Sequence, residues 1–192
     1  MLPISIQGSI FYTDDIVYSY GNYDSDSFHL NQTIGDGIFF TVPLEKYIPN
    51  MISAENNSIF EYGVYTTSKQ NALIEKEIEK IRQNGYRWYT KIEKEDGYDR
   101  FSEYEMDYPS RLHYRTGAKL YKVKSGKFHI YWALGDNCAS FTDLVLGTLG
   151  ADVLSIRGII SPGTYLDWLQ KEYLKKNSPV VFRCIYKKWD SE

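Results

Sequence analysis

The first twenty residues contain the pattern that most restricts the fold of this chain. Residues 3–12 read PISIQGSIFY, with alternating apolar and polar residues, and residues 16–21 read IVYSYG, with TDD between the two runs. A period of two predicts half-buried β-strands, and a turn this short joins only neighbouring antiparallel strands. We therefore expect an antiparallel sheet from the start of the chain and no opening βαβ unit.

Further strands, one short helix and three longer helices follow from the same kind of pattern. IFFTVP, FEYGVYTT and PVVFRCIYKK are typical of strands, and Pro43 should open a short helix from Leu44 to about Met51. Ser68 is the expected N-cap of a helix that ends at Asn84-Gly85. A second helix should run from Cys138, with Phe141, Leu144, Val145 and Leu149 on one face, to Gly150. A third should run from Thr164 to about Lys175, burying Tyr165, Leu166, Trp168, Leu169 and Tyr173.

This order of elements predicts an α+β fold, with the Cys138 helix packed on an antiparallel sheet. Residues 86–116 are charged and aromatic without a sustained period, which predicts a Tyr-rich insertion or flap. At 192 residues the chain is expected to form one domain, residues 1–192, without disulfides or metals to stabilise it.

Composition limits the classes of partner. The net charge is -3 and the basic residues are scattered, which argues against nucleic-acid binding. The sequence contains neither an apolar run long enough to span a membrane nor a signal peptide, so we expect a soluble protein. The 18 Tyr and 4 Trp fit half-buried sheet faces and shallow grooves.

Cys138 and Cys184 are the two cysteines of the chain. Cys184 lies in an apolar strand pattern and is interpreted as structural. Motifs with metal-ligand spacing are missing, so neither a metal nor another cofactor is expected. Cys138 instead begins a helix, where the macrodipole and unpaired backbone N–H groups favour the nucleophilic thiolate.

The neighbours of Cys138 suit this chemistry. Asp136 or Asn137 can cap the helix, and Ala139 and Ser140 are small enough for a substrate carbonyl to approach the Cys138 amide as an oxyanion donor. We assign Cys138 as candidate nucleophile, with Asn137 and Ala139 as helix cap and oxyanion neighbours.

The stretch YWALGDNCASFTDLVLGTLG, followed by GIISPGTYLDWL, resembles the Cys-helix segment of circularly permuted NlpC-type papain-like hydrolases, bacterial relatives of lecithin:retinol acyltransferase. The resemblance is carried mainly by Asn137-Cys138. It implies a permuted papain-like fold and a Cys-His couple whose histidine precedes the cysteine in the chain. A Gly-His pair commonly begins the first strand of that family, whereas this chain has Gly8-Ser9 there.

Three histidines are available as the base. His29 lies in the N-terminal half, where the family keeps its base, and is assigned first. His129 is nine residues before Cys138, too far in an extended chain unless a turn at Leu134-Gly135 brings it back. His113 falls in the expected insertion. A further alternative is that no histidine pairs with the thiol.

The sequence thus predicts a cysteine hydrolase that cleaves an amide in a cell-wall peptide or protein. Two alternatives stay open. One is a hydrolase or transferase acting on an acyl-bearing lipid. The other is a non-catalytic binding module that uses the Tyr-rich segment as its surface.

Overall fold

The computed structural model describes residues 2–6, 10–13, 15–95, 102–147 and 162–188. These residues form nine strands: β1 Leu2–Ile6, β2 Ile10–Thr13, β3 Ile16–Asn22, β4 Ile34–Pro43, β5 Ile59–Val64, β6 Gly85–Trp88, β7 Lys119–Val123, β8 Ile130–Trp132 and β9 Val180–Tyr186. They also form six helices: α1 Leu44–Pro49, α2 Ser68–Gln83, α3 Lys91–Lys94, α4 Tyr108–Thr116, α5 Cys138–Gly147 and α6 Pro162–Tyr173.

The strands build one sheet in the order β6-β7-β4-β3-β2-β1-β5-β9, and β8 pairs with the first residues of β4. Every pairing recorded between these strands is antiparallel. The helices pack against this sheet, and α5 lies against β3. The expected α+β class is therefore confirmed.

Alternation along β3 and β4 divides the interior into two clusters. Tyr20 and Phe39 point to one face, where α2, α5 and α6 add their apolar residues. Val17 and Phe40 point to the other face, which α1 and α4 cover. Because successive side chains of a strand alternate between faces, the same two strands supply both cores.

The N-terminal strands differ in one respect from the sequence prediction. Strand β2 pairs with β3 as expected, with Thr13 opposite Ile16. The run predicted as one strand over 3–12 forms β1 and β2, which pair with each other through Ile4 and Phe11. An alternating pattern predicts strands but does not reveal where a strand reverses.

The sequence predicted Ser68 as the N-cap of α2, but Ser68 is already the first residue of the helix. Its N-cap is Thr67 rather than Ser68. The Thr67 side-chain oxygen accepts a hydrogen bond from the backbone amide of Gln70 at 3.3 Å. In return, the Gln70 side-chain oxygen accepts one from the backbone amide of Thr67 at 2.9 Å. This reciprocal pair is a capping box, which satisfies two backbone donors. Asn84 ends the helix as predicted.

Within residues 86–116 the expectation of an irregular insertion is wrong for the described part. Strand β6 pairs with β7 at one edge of the sheet, and Trp88 is buried in the second cluster. Helix α4 begins at the N-cap Asp107, ends at Gly117 in the left-handed conformation, and buries Leu112. The helical period over nine residues was obscured by flanking charged and aromatic residues.

Helix α6 buries Tyr165 and Leu169 fully, but Tyr173, expected on the buried side, is exposed and Glu172 is buried in its place. Leu149 and Gly150, the expected end of the Cys138 helix, lie outside the described residues. None of the helices in the described part of the chain combines the length and apolar character needed to cross a bilayer.

Candidate active site around Cys138

A tight turn brings the start of α5 back to the strand before it. The Trp132 amide donates to the Asp136 carbonyl at 2.9 Å, and the Gly135 amide donates to the Trp132 carbonyl at 2.9 Å. A β-carbon on Gly135 would lie 2.4 Å from the Trp132 ring, so a larger residue there would force this partly exposed ring to move. The turn places Cys138 beside Tyr131, the residue of β8 that points inward.

Asn137 caps the helix. Its side-chain oxygen accepts from the backbone amides of Ala139 at 2.9 Å and Ser140 at 3.0 Å, and its side-chain nitrogen donates to the Ala133 carbonyl at 3.0 Å. Two of the unpaired N–H groups of the first turn are thereby used. The Ala139 amide, placed near the oxyanion position by the sequence, already has Asn137 as its acceptor.

Cys138 as a residue is 5% exposed, and its thiol shares a hydrogen bond with the Tyr131 hydroxyl. Burial raises the pKa of Tyr131 to about 12, and the neighbouring Cys138 adds to this rise. The hydroxyl therefore stays protonated at neutral pH and is able to donate to the sulfur.

Tyr20 on β3 reaches the same region and is fully buried. Its hydroxyl has no hydrogen-bond partner among the described residues. Burial raises the pKa of Tyr20, and the charges of Asp136, Tyr131 and Cys138 raise it further. These four side chains therefore form one electrostatically coupled group, which we call the thiol cluster.

The structure does not bring His29 to the thiol. His29 is exposed, and its backbone is bridged to Ile34, with the His29 amide donating to the Ile34 carbonyl at 2.8 Å. Cys138 is not among the residues that line the cavity beside His29. The prediction of His29 as the base therefore has no contact to support it.

His29 instead lines a cavity of about 390 Å³. Lys122 lies in that cavity between Asp24, 3.2 Å away, and Asp36. Burial alone would lower the pKa of Lys122, but its hydrogen bonds with the two aspartates outweigh burial and raise the pKa. Other residues lining this cavity are Asp26, Ser27, Ile34, Gly35 and Ile130.

The other two histidines have structural partners. A ring nitrogen of His129 is 2.8 Å from the Val123 carbonyl, and the corresponding nitrogen of His113 is 2.7 Å from the Ala118 carbonyl. The second ring nitrogen of His113 lies 3.4 Å from a Glu93 oxygen. Each imidazole thus helps to hold its own segment in place.

Cys184 is also a free thiol. It lies in the middle of β9 opposite Glu61 of β5, and it shares a hydrogen bond with Tyr186. Burial raises the pKa of Tyr186, and its hydrogen bond with Glu61 raises it further. Cys184 therefore sits in a strand beside a carboxylate and away from any helix N-terminus.

Sequence reasoning missed Tyr20 and Tyr131 as members of the site. Tyr131 follows the exposed Ile130 in a short strand, so alternation predicts that its side chain points inward. Its contact with Cys138 could not be predicted in this way, because it depends on the turn between them. Among the described residues, no group of three or more His, Cys, Asp or Glu side chains is arranged to hold a metal ion.

The chain was compared with protein-family models, with curated proteins and with solved structures, and none of them matches. The fold class and the thiol cluster are therefore the basis for any functional statement.

Proposed function

We propose that this protein is a cysteine hydrolase that cleaves an amide bond, with Cys138 as the nucleophile. The observation that carries the proposal is the position of the thiol at the first turn of a 10-residue helix, joined by a hydrogen bond to Tyr131. A helix N-terminus and a hydroxyl donor both favour the thiolate over the thiol.

In this proposal the thiolate attacks the amide carbonyl and forms a tetrahedral intermediate. The backbone amide of Cys138 donates to the developing oxyanion, since the Ala139 amide is held by Asn137. The His29 imidazole takes up the thiol proton and delivers it to the leaving nitrogen, so that collapse of the intermediate releases a neutral amine and leaves a thioester, which water hydrolyses. A permuted papain-like arrangement of the fold belongs to the same proposal, as does a cell-wall peptide or protein as the substrate.

The experiment is incubation of the protein with purified cell-wall fragments, and separately with a phospholipid, followed by mass analysis of the products. Cys138→Ala should abolish any hydrolysis, whereas Cys184→Ala, which removes the other thiol, should retain it. A thioester trapped on Cys138 during turnover would support the proposal. Turnover by Cys138→Ala at the unaltered rate would refute it.

The role of His29 is tested separately. His29→Ala should remove hydrolysis without unfolding if the imidazole reaches the thiol only when substrate is bound. Full activity in this variant would rule out His29 as the base and leave the thiolate dependent on α5 and Tyr131.

A second candidate function is a non-catalytic binding module, favoured by the low exposure of the thiol and by the charged cavity that contains His29. It predicts no product from either class of substrate and no acylation of Cys138. It also predicts that Lys122→Met, which removes the cavity's cation, changes ligand binding, whereas the hydrolase proposal assigns that residue no role.

A further inference from the structure

A cavity of about 180 Å³ lies where α3 meets the start of α4, and we call it the α3–α4 cavity. Ile92 of α3 and Met106, which comes just before α4, are buried and form its apolar wall. Three carboxylates line it as well, from Glu95 at the end of α3, from Glu105 and from Asp107, the N-cap of α4. The cavity shares no residue with the thiol cluster, so it is a separate feature of the molecule.

These three carboxylates have no cation of their own. None of them forms an ion pair with a described residue, and the carboxylate of Glu105 accepts from the amide and the hydroxyl of Ser102, both at 2.9 Å. Lys91 also lines the cavity, but its ammonium is 3.1 Å from an Asp26 carboxylate oxygen and 3.1 Å from the Ser25 hydroxyl. The negative charge of the cavity is therefore not neutralised by an ion pair.

Arg111 on α4 is also engaged with other partners. Its guanidinium donates to both oxygens of the Glu55 carboxylate, each at 3.0 Å, and to the Met106 carbonyl at 2.6 Å. An arginine held by a bidentate pair and a carbonyl has few donors left to turn towards Asp107. Neither Lys91 nor Arg111 thus serves as the counter-ion of the cavity.

A buried hydroxyl lines the same cavity. Ser110 is 1% exposed, and its hydroxyl has no hydrogen-bond partner among the described residues. The backbone amide of Ser110 is occupied, because it donates to the Asp107 side chain at 3.0 Å. A buried polar group without a partner is unfavourable, and folded proteins retain few of them. A ligand with an N–H donor in the cavity would supply this hydroxyl with the partner that it lacks.

The start of a helix generally attracts anions, but the first turn of α4 offers little to one. Its N-cap is a carboxylate, and Pro109 in the first turn has no N–H to donate. Three carboxylates also outweigh the macrodipole, which amounts to about half an elementary charge at a helix end. In the described ranges no three acidic, His or Cys side chains are grouped to hold a metal ion. The charge and the apolar wall together favour an organic cation with an apolar stem.

We propose that the α3–α4 cavity binds the side chain of a lysine residue in a peptide. A lysine side chain has a flexible apolar stem, which suits the wall formed by Ile92 and Met106. Its ammonium has enough N–H donors for the Ser110 hydroxyl and for the carboxylates of the cavity. The inference goes beyond the proposed hydrolase, because it uses neither Cys138 nor His29.

The test is an NMR titration of the isotope-labelled protein with Nα-acetyl-lysine amide. Its neutral analogue, Nα-acetyl-norleucine amide, has the stem without the ammonium. We expect the lysine compound to shift the amide signals of residues 91–95 and 105–110, and the norleucine compound to leave them unchanged. Added salt should weaken binding, because the side chains of Glu95 and Glu105 are exposed and their charges are screened.

Two variants remove one feature of the cavity each. Asp107→Asn removes a charge but keeps the cap, since Asn caps helices as well as Asp does. Ser110→Ala removes only the hydroxyl, which had no partner, so this variant should unfold at no lower temperature. Each variant should bind the lysine compound about three- to tenfold more weakly, the loss expected for one hydrogen bond.

Glu45→Gln is the matched control, because Glu45 is an exposed residue that lines a different cavity, beside α1. Its loss of charge should leave the affinity for the lysine compound unchanged. Lys91→Met removes the cation that competes for the same carboxylates, so this variant should bind the compound more tightly.

Unchanged affinity in either Asp107→Asn or Ser110→Ala would overturn the inference, as would equal binding of the norleucine compound. An equal loss in Glu45→Gln would overturn it too, since the net charge of the protein would then explain binding. Weaker binding by Lys91→Met would mean that the ligand contacts this cation, which contradicts the proposed chemistry. The titration needs no turnover, so a failure of the hydrolase proposal leaves these outcomes as they are.

Discussion

The two faces of the sheet handle their polar groups differently. The face that carries Cys138 is a cluster of aromatic rings in which the hydroxyls of Tyr20 and Tyr165 are buried without partners among the described residues. On the opposite face Glu55 lies between Arg111, at 3.0 Å, and Arg115, at 2.6 Å. This ion-pair network joins α4 to the π-helical turn Asn50–Ala54 after α1.

The difference suggests that the two faces serve different purposes. Paired charges hold helices to a sheet but leave little hydrogen-bonding capacity for a ligand or a reaction. Buried hydroxyls without a partner lower stability, and the opposite face also contains one, that of Ser110 on α4, so what distinguishes that face is its ion-pair network. The two faces should therefore respond differently to loss of packing, loss of charge and changes of pH.

The largest expected effect comes from removing one ring from each core. Phe141 and Phe40 are both fully buried, on the thiol face and the opposite face respectively. Phe141→Ala and Phe40→Ala should each lower the free energy of unfolding by about 3–5 kcal/mol, measured with urea. Only Phe141→Ala, which opens a cavity beside Tyr20, should speed the alkylation of Cys138. Equal acceleration in both variants would contradict the division of the interior into two clusters.

Loss of the Glu55 charge should have the next largest effect. Glu55→Gln leaves the partly buried guanidinium of Arg111 without its carboxylate and Arg115 with Glu103 alone, and we expect the free energy of unfolding to fall by about 1–3 kcal/mol. Glu79→Gln is the control, because the ion pair of Glu79 with Arg82 on α2 is exposed and screened by solvent; its effect should be clearly smaller than that of Glu55→Gln. Similar losses in the two variants would mean that the network is no more stabilising than a surface pair.

The same network predicts a dependence on acid pH. Hydrogen bonding from Arg111, together with the charges of Arg111 and Arg115, lowers the pKa of Glu55 below its ordinary value of 4.5. A carboxyl group whose pKa is lower in the folded than in the unfolded state stabilises the fold at pH values above its unfolded-state pKa. This stabilisation is lost as the pH falls through the folded-state pKa. Thermal unfolding should therefore show a smaller loss of stability below about pH 4.5 in Glu55→Gln than in the wild type. Parallel curves for the two proteins would argue against this linkage.

The smallest effect tests the cap of α2, a helix of the thiol face. Thr67→Ala removes the acceptor for the Gln70 amide and should lower the free energy of unfolding by about 1 kcal/mol. Ser68→Ala, at the residue that the sequence favoured as the cap, should change it by no more than about 0.5 kcal/mol. The reverse order of effects would restore Ser68 as the cap.

Much of the fold could be predicted because it depends on local patterns. The alternation around Tyr18 and Tyr20 predicted β3, and the helical spacing of Ile74 and Ile78 predicted α2, both of which are present. Residues 108–116 were not recognised as a helix, because one short amphipathic run between charged and aromatic residues gives a weak period. The boundary at Thr67 was missed because Thr67 and Ser68 are both good caps, and only the partner at Gln70 distinguishes them.

The candidate site was predicted only in part. Cys138 at the start of a helix follows from local sequence, and so does its neighbour Asn137. The surroundings of the thiol do not, because Tyr131 reaches it through a turn, and the ring of Tyr20, which packs against Tyr131 and Phe141, comes from β3, more than a hundred residues earlier in the chain. The histidine expected from the resemblance occupies a different cavity.

The sequence by itself determined which segments form strands and helices, and that a thiol begins one of the helices, since these depend on side-chain periodicity and caps within a few residues. Only the tertiary structure decided what surrounds that thiol. Contacts between residues far apart in the chain arise when the antiparallel sheet and α5 bury their apolar faces together, and this burial also excludes water from the Tyr20 hydroxyl in the same core.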